Sequence, residues 1–281
     1  MIYPRRAATG PDVARHYDEL DVFYREVWGE HVHHGLWHTG DETPEVAVAH
    51  LVDHVASHAR MQPGDAVCDV GAGYGATARH LAVRYQAHVT ALTISPAQYA
   101  YALTAAPTAP NPTYLLQDWL ANELPADAFD AVVSIECISH VPDKPRFFDE
   151  AVRVLRPGGR LVVCAWLAPE APSRWQVHYV LEPICHEGRL PSLAGASEYR
   201  VMIAEAGLVL DAFEDLSRQV RRTWTVCVQR ILHRLLTDRR YTRFLRDATH
   251  QNRRFLVTLF RLWLGYRIGA FGYGLFAARK P

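Results

Sequence analysis

Hydrophobic positions change their period along the chain. Residues 12–60 show mostly helical spacing, as at Leu51 and Val55, and Thr43-Pro44 supplies a cap and a first turn for the last helix of this stretch. From about residue 63, short apolar runs alternate with amphipathic segments. This alternation predicts strands followed by helices, and therefore a mostly parallel sheet covered by helices on both faces.

The predicted elements follow one another closely. The predicted strands are Ala66–Val70, His88–Leu92, Thr113–Leu116, Ala131–Ile135, Arg160–Trp166, Leu208–Phe213 and Ala270–Ala278. The predicted helices after residue 63 are Ala76–Tyr85, Pro96–Thr104, Arg146–Leu155, Glu198–Ala206, Trp224–Thr237 and Asn252–Leu264. Pro157-Gly158-Gly159 is expected to stop the helix that precedes it. The stretch from Ala168 to Ala194 has no clear period.

Composition adds a charge asymmetry to this picture. The 281 residues are 49% hydrophobic and 21% charged, which excludes a disordered chain, and the formal net charge is zero. Bulk neutrality argues against a nucleic-acid partner held by positive charge. The charge is uneven, however: residues 218–281 hold 15 basic and two acidic side chains, which leaves residues 1–217 with a net charge of −13.

The cysteines and the apolar runs bear on compartment. Five cysteines, an odd number without a CxxC pair, argue against a disulfide framework or a structural zinc site. The N-terminus has no apolar stretch typical of a signal peptide. Arg261 and Arg267 interrupt the longest apolar region, residues 255–276. These features predict a cytoplasmic protein without stable membrane insertion.

The sharpest motif is the glycine-rich turn after the first predicted strand. Asp69 and Val70 run into Gly71-Ala72-Gly73-Tyr74-Gly75, and a helix follows. Glycines suit a tight turn that a ligand approaches closely, and the helix N-terminus offers free N–H groups. A nicotinamide dinucleotide is one candidate ligand. The Asp69 carboxylate would repel a pyrophosphate but suits an ammonium group, which favours S-adenosyl-L-methionine (SAM).

Several further motifs accompany this turn. They are Tyr17-Asp18-Glu19-Leu20, Trp28-Gly29-Glu30-His31-Val32-His33-His34-Gly35, Leu92-Thr93-Ile94-Ser95-Pro96-Ala97-Gln98, Gln117-Asp118-Trp119, Ser134-Ile135-Glu136, His140-Val141-Pro142-Asp143-Lys144, Leu155-Arg156-Pro157-Gly158-Gly159 and the segment Gly272–Lys280. With these motifs the sequence resembles the class I SAM-dependent methyltransferases over most of its length. Within them it is similar to the γ-tocopherol methyltransferase-like group, with sterol C-methyltransferases and cyclopropane fatty acid synthases as cousins.

The resemblance implies a Rossmann-like core and a set of cofactor contacts. Asp69, Gly71 and Gly73 would hold the methionine end of SAM. Many methyltransferases grip the ribose with an acid at the end of the second strand. This chain has Thr93 there, which matches a variant in which Thr93 and Gln98 contact the ribose.

Three more cofactor residues come from the same resemblance. Asp118 would accept a hydrogen bond from the adenine amino group, and Trp119 would pack nearby. Tyr17 would close over the methionine carboxylate of SAM.

Methyl transfer from a sulfonium relies mainly on positioning in a pocket that excludes water, and a base helps only when the acceptor carries a proton. His140 and Glu136 follow the fourth predicted strand, at the edge of the sheet where ligands gather. His140 is the candidate base, or a residue that only packs on the cofactor. Glu136 is a candidate for binding SAM, orienting the acceptor or stabilising a carbocation.

One departure from the family pattern is informative. The cyclopropane synthases and tocopherol-type enzymes carry an acid immediately before this histidine, whereas this chain has Ser139. The resemblance therefore argues against cyclopropanation. The sterol C-methyltransferase-like pattern favours methylation of carbon, with oxygen and nitrogen methylation as alternatives.

Two groups of residues leave alternatives open. His31, His33, His34 and His38 have spacing that suits metal ligands, but the family resemblance identifies them with a lid over the cofactor, so no metal is predicted. Eleven arginines between Arg218 and Arg254 crowd the predicted cap helices. They are either solvated, paired with an acidic neighbouring subunit, bound to an anionic substrate such as a prenyl diphosphate, or placed against nucleic acid or a membrane surface.

The combined prediction is an α/β methyltransferase that uses SAM to methylate a hydrophobic small molecule, such as a terpenoid, a prenylated compound or an aromatic secondary metabolite. We expect an N-terminal helical lid (residues 1–60), a cofactor-binding core (61–167), and a substrate cap with the last strands of the sheet (168–281). No nucleic-acid partner is predicted, and a homo-oligomer is one option for the arginine-rich surface. The alternatives are a nicotinamide-dependent oxidoreductase, a prenyl diphosphate C-methyltransferase, and a SAM-binding scaffold without catalytic activity.

Overall fold

The computed structural model describes residues 1–105, 112–247 and 255–281. Seven strands within these ranges form one sheet in the order β3-β2-β1-β4-β5-β7-β6. They are β1 (Ala66–Val70), β2 (His88–Thr93), β3 (Thr113–Leu116), β4 (Phe129–Ile135), β5 (Leu155–Leu167), β6 (Val209–Asp215) and β7 (Gly272–Arg279). Strands β1 to β5 pair in parallel, and β7 is antiparallel to both of its neighbours. The mostly parallel sheet predicted from the sequence is confirmed.

Helices cover both faces of this sheet. In chain order they are α1 (Gly10–Glu19), α2 (Asp21–Val27), α3 (Pro44–His58), α4 (Ala76–Arg84), α5 (Pro96–Ala105), α6 (Lys144–Val154), α7 (Arg174–Gln176), α8 (Glu182–Glu187), α9 (Ala196–Glu205), α10 (Ser217–Val220), α11 (Arg222–Thr237), α12 (Arg239–Arg246) and α13 (Phe255–Arg267). Alternate residues of a strand point to opposite faces. Val132 and Val133 of β4 accordingly enter two different apolar clusters, one on each side of the sheet.

The structure differs from the sequence prediction in several places, among them the helices α10 and α12, which the sequence pattern did not predict. The stretch from Ala168 to Ala194, for which the sequence showed no clear period, contains α7 and α8, joined by a π-helical stretch over Val177–Leu181. The glycine stop after α6 lies inside β5, because Leu155 already pairs with Phe129 of β4. The predicted helix Asn252–Leu264 begins outside the described residues, and its described part is α13.

The N-terminal helices lie over the carboxyl ends of the first strands. Asp18 of α1 accepts hydrogen bonds from the Ser95 hydroxyl (2.6 Å) and from the backbone N–H of Ala97 (3.3 Å). Tyr74 in the glycine-rich turn donates to the Asp21 carboxylate at 2.8 Å. These bonds anchor the predicted lid to the core, although the boundaries of the three predicted segments remain a prediction.

The strand order determines where along the edge of the sheet a ligand can bind. The chain turns from β1 to β2 and β3 on one side and to β4 and β5 on the other, so a crevice forms where the loops after β1 and β4 diverge. In the part of the chain that the structure describes, no helix is both long and apolar enough to cross a membrane.

Candidate functional site

A cleft opens at the diverging loops and contains about 830 Å³ of empty space, part of which is open solvent. Every site residue predicted from the sequence lines it except Asp69, which lies in β1 immediately before the turn. The lining is largely apolar, with Val13 from α1 and Val32 from the loop after α2. The lid, the glycine-rich turn and the loop after β4 therefore enclose one space.

The glycine-rich turn brings its backbone against the loop after β4. Gly71 and Gly73 have positive φ angles of 78° and 55°. A Cβ on Gly71 would stand 2.3 Å from the Cβ of Cys137, whereas a Cβ on Gly73 would meet nothing closer than the Gln98 amide nitrogen at 3.9 Å. Gly71 is thus required by packing and by backbone conformation, and Gly73 by conformation alone.

Asp69 supplies a buried carboxylate below this turn. Its side chain is 2% exposed, and its Oδ2 atom has no hydrogen-bond partner among the described residues. Burial raises the pKa of Asp69 to about 7. A buried carboxylate oxygen without a partner suits the ammonium group of a ligand, because an unpaired buried polar atom is costly. The residues present therefore fit SAM, and Asp69, Gly71 and Gly73 would hold its methionine end.

Thr93 and Gln98 form a pair at the end of β2. The Thr93 hydroxyl donates to the Gln98 amide oxygen at 2.9 Å and accepts from the backbone N–H of Ser95 at 3.2 Å. The Thr93 hydroxyl is therefore engaged within the protein and orients Gln98, whose amide nitrogen is left to act as a donor. The predicted ribose contacts of both residues remain a prediction.

Asp118 and Trp119, for which adenine contacts are predicted, both line the cleft. One carboxylate oxygen of Asp118 accepts from the backbone N–H of Leu120 at 2.9 Å. Trp119 is 3% exposed, and its indole nitrogen donates to the Phe147 carbonyl at 3.1 Å. These hydrogen bonds orient both side chains, and the adenine contacts remain a prediction.

Tyr17 and His140 meet across the cleft. The Nδ1 atom of His140 lies 3.4 Å from the Arg189 carbonyl, which can only accept, so Nδ1 carries the proton. The Nε2 lone pair then accepts from the Tyr17 hydroxyl at 3.0 Å. Burial lowers the pKa of His140 to about 4, which keeps the imidazole neutral near pH 7. Tyr17, predicted to cover the methionine carboxylate of SAM, thus contacts the candidate base in this structure.

Glu136 is the centre of a buried network. It follows β4 in a left-handed backbone conformation (φ 65°), which a non-glycine residue adopts only at a cost. Its Oε1 accepts from the backbone N–H of His34 (2.7 Å), from His34 Nδ1 (2.9 Å) and from the Tyr273 hydroxyl (3.0 Å). Its Oε2 accepts from the Trp166 indole at 2.8 Å. One carboxylate therefore joins the lid, β5 and β7.

The network also fixes the charge of Glu136. Burial alone would raise the pKa of Glu136, but the charge and the hydrogen bonds of His34 outweigh burial and lower the pKa to about 2. The carboxylate stays ionised at the wall of the cleft and cannot act as a general base near pH 7.

Sequence reasoning missed the partners of these groups. Trp166 had a usable signal, because it ends β5 beside the end of β4, where Glu136 lies. Tyr273 lies in the G-Y-G motif of the last strand, although nothing in the sequence connects it to Glu136. The Nδ1 atom of His140 has the backbone carbonyl of Arg189 as its partner. Arg189 itself has a positive φ angle of 55°. No side-chain pattern predicts such a contact.

Lys144 is a second residue that the sequence left without a role. It is 1% exposed, and its ammonium group donates to the Val141 carbonyl (3.1 Å), the Ser192 carbonyl (3.2 Å) and the Ser192 hydroxyl (2.9 Å). Burial lowers the pKa of Lys144 to about 8. The lysine joins the loop that carries His140 to the loop that supplies the Arg189 carbonyl.

The arginine-rich segment contacts the lid of the same chain. Arg240 pairs with Glu26 of α2 at 2.8 Å, and the Tyr241 hydroxyl donates to the same carboxylate at 2.9 Å. Arg230 donates to the Val27 carbonyl at 2.8 Å. Arg253 and Arg254 lie outside the described residues, and no arginine among the described residues lines the cleft. Part of the basic charge is therefore matched within the chain, while the predicted oligomer remains a prediction.

The four lid histidines do not converge on one point. His34 turns to Glu136, and His31 Nδ1 lies 3.1 Å from His33 Nε2. The His38 ring packs against His50, with ring centroids 4.8 Å apart and the ring planes tilted by 46°. Each of these rings contacts a neighbouring group within the described structure, and the interpretation of the four residues as part of a lid remains a prediction.

Comparison with known proteins adds the family. The family model described as "mycolic acid cyclopropane synthetase" matches residues 5–249. The 27-O-demethylrifamycin SV methyltransferase of Amycolatopsis mediterranei (strain S699) is 31% identical over 280 residues, which cover 97% of this chain and 98% of the relative. The chloroplastic tocopherol O-methyltransferase of Arabidopsis thaliana is 27% identical over 290 residues, with 96% and 82% covered. The solved cyclopropane synthase MmaA2 of Mycobacterium tuberculosis has a TM-score of 0.83 at 22% identity, with 98% and 100% covered.

Proposed function

The chain belongs to the mycolic acid cyclopropane synthetase family and is a SAM-dependent methyltransferase, and from that premise we propose that it methylates a hydroxyl oxygen of a hydrophobic small molecule. The observation that carries the proposal is the neutral imidazole of His140 inside the cleft, with its Nε2 lone pair held by the Tyr17 hydroxyl at 3.0 Å. Oxygen methylation needs a group that accepts the hydroxyl proton, and this nitrogen is placed to accept it.

The reaction uses few residues. When bound, SAM supplies a methyl carbon on a cationic sulfur. Asp69, Gly71 and Gly73 would hold SAM by its methionine end, and its sulfonium would give the methyl group to the acceptor oxygen while the sulfur kept the electron pair of the broken carbon–sulfur bond. The hydroxyl proton passes to His140 Nε2, which Tyr17 releases when the acceptor takes its place.

The groups around His140 suit this transfer. The Arg189 carbonyl holds the Nδ1 proton and so keeps Nε2 free to accept another. The charge of Glu136 acts to raise the pKa of His140 against burial, and it therefore stabilises the imidazolium that forms. The apolar walls of the cleft and the lid above it exclude water, which strengthens these electrostatic effects.

Two observations support the substrate class. The side chains of Val13, Val32 and Ile135 give the cleft an apolar lining, and none of the described lining residues is arginine or lysine. An apolar acceptor suits such walls, whereas a prenyl diphosphate would lack a cationic partner there. The names of the rifamycin and tocopherol relatives describe oxygen methylation of large, largely apolar molecules.

Methylation of carbon, the expectation from the sterol C-methyltransferase-like pattern, is the second candidate. It is favoured by the ionised carboxylate of Glu136, which is surrounded by the rings of His34, Trp166 and Tyr273 at the cleft wall. An anion there would stabilise a carbocation on an olefinic acceptor. Ser139 is buried beside Trp166 and does not favour either oxygen or carbon methylation. Because it stands where the cyclopropane synthases carry an acid, it argues against cyclopropanation.

The test is a single-turnover assay with methyl-labelled SAM against lipophilic phenols, hydroxylated terpenoids and matched olefins without a hydroxyl group. We expect label on oxygen, located by mass spectrometry and NMR. His140→Ala should lower the single-turnover rate by about 10²–10⁴-fold, and Tyr17→Phe should lower it less. The control His88→Ala, which removes an exposed histidine of β2, should leave the rate unchanged.

Three results would contradict the proposal. Label on carbon with an unchanged rate in His140→Ala would support the second candidate. SAM binding without turnover of any acceptor would support the scaffold alternative. Binding of a nicotinamide dinucleotide in place of SAM would overturn the cofactor assignment as well.

A further inference from the structure

Three metal-ligating side chains converge away from the cleft. His54 and His58 are four residues apart on α3, so they lie on one face of the helix. Glu214 lies near the carboxyl end of β6, the edge strand of the sheet. His54 Nε2 is 2.7 Å from one carboxylate oxygen of Glu214, and His58 Nε2 is 2.9 Å from the other.

The geometry of this cluster suits one metal ion. All of the ligand atoms lie within 4.8 Å of one another. Ligand atoms of a tetrahedral zinc ion stand about 3.3 Å apart, since zinc–nitrogen and zinc–oxygen bonds measure about 2.0–2.2 Å. The two nitrogen-to-oxygen distances, 2.7 and 2.9 Å, are about half an ångström shorter than this value, so the side chains would have to move apart by that amount to admit a cation.

The cluster is also accessible and chemically selective. The side chains of His54, His58 and Glu214 are 28%, 20% and 37% exposed, so an ion and its water ligands can reach all three. Each imidazole now shares a proton with the carboxylate, and a cation would replace these protons. Two imidazoles and one carboxylate are a donor set for zinc, cobalt, nickel and copper, while magnesium and calcium prefer oxygen donors alone.

We propose that His54, His58 and Glu214 form a binding site for one divalent transition-metal ion, with Zn²⁺ as the reference ion and water in the remaining coordination position. None of the three lines the SAM cleft. The ion links α3, the last helix of the predicted lid, to the end of β6, which leads through Leu216 into α10. Its role is therefore to fasten the lid side of the chain to the cap side, and not to take part in methyl transfer.

The test is calorimetric titration of the metal-stripped full chain with zinc chloride, with magnesium chloride in parallel. We expect one equivalent of zinc that is lost in His58→Ala and in Glu214→Gln, and no heat with magnesium. The control His88→Ala should keep that equivalent. Cobalt should give a visible absorption spectrum that disappears in the same two variants.

Thermal unfolding gives a second and independent measurement. Zinc at 100 times its Kd should raise the Tm of the parent by about 5 °C or more, and it should leave the Tm of His58→Ala unchanged. The affinity for S-adenosylhomocysteine checks that each variant is folded. Equal zinc stoichiometry and affinity in the parent, His58→Ala and Glu214→Gln, with all three folded, would overturn the proposal.

Discussion

The affinity for the cofactor should depend on pH through Asp69. Burial raises the pKa of this carboxyl to about 7, and a ligand ammonium group favours the ionised form. Below pH 7 the carboxyl is mostly protonated, and binding must first remove the proton. Affinity is therefore expected to rise as the pH rises through 7, and to level off above it.

The magnitude follows from the ionised fraction. With a pKa of about 7, about 9% of Asp69 is ionised at pH 6 and about 91% at pH 8. The affinity for S-adenosylhomocysteine, which carries the same ammonium group, should increase about tenfold over this interval, or about 1.4 kcal/mol. His140, with a pKa of about 4, and Cys137, with a pKa raised by burial to about 12, do not titrate in this range.

The assay is calorimetric titration with S-adenosylhomocysteine at half-unit intervals from pH 6 to pH 8. Asp69→Asn should bind about 10–100-fold more weakly at pH 8, since a charge-assisted hydrogen bond contributes about 1.5–3 kcal/mol, and its affinity should not depend on pH. His88→Ala serves as the control and should retain the slope of the parent. A flat profile in the parent, or the same slope in Asp69→Asn, would refute the role given to this carboxylate.

Four further substitutions test the architecture of the cleft, each followed by thermal unfolding and cofactor titration. Glu136→Gln should destabilise the chain by about 1–3 kcal/mol, because its amide nitrogen faces a donor; an unchanged Tm would contradict the buried network. Gly71→Ala should lose cofactor binding, because the added Cβ clashes with Cys137. Gly73→Ala should still fold and should bind the cofactor more weakly than the parent. Equal cofactor affinity and equal Tm in the two variants would contradict the different roles given to these glycines. Lys144→Met should lower the free energy of unfolding by about 1–3 kcal/mol and should slow the single-turnover rate. If the variant keeps both the stability and the rate of the parent, Lys144 has no positioning role.

Local sequence signals predicted the sheet well. Short apolar runs between glycine- and proline-containing turns were enough for β1 to β5, because strands buried on both faces are almost continuously apolar. The helix and π-helical stretch over residues 174–187 escaped prediction because three exposed positions, Trp175, Tyr179 and His178, carry aromatic rings and obscure the helical period. Tertiary packing, and not local preference, determines that segment.

Site residues could be predicted from the sequence only where they belong to a recognisable motif. Asp69 lies near the end of a strand and the turn glycines follow that strand directly, so their place at the cleft could be deduced from sequence position. Trp166 and Tyr273 reach Glu136 from strands 30 and 137 residues further along the chain. Such contacts depend on strand order and register, which the sequence pattern does not specify.

The junction at Glu136 has a kinetic consequence. Val32 of the lid lines the cleft, and His34, two residues later, gives two hydrogen bonds to this buried carboxylate. Opening the lid to exchange the spent cofactor must break both bonds, at a cost of about 3–6 kcal/mol if each contributes about 1.5–3 kcal/mol. The open form is then a small minority of molecules, and we expect product exchange, rather than methyl transfer, to set the steady-state turnover rate. The closed lid would thus keep water out of the cleft, and the same bonds would make release of the product and of the spent cofactor slow.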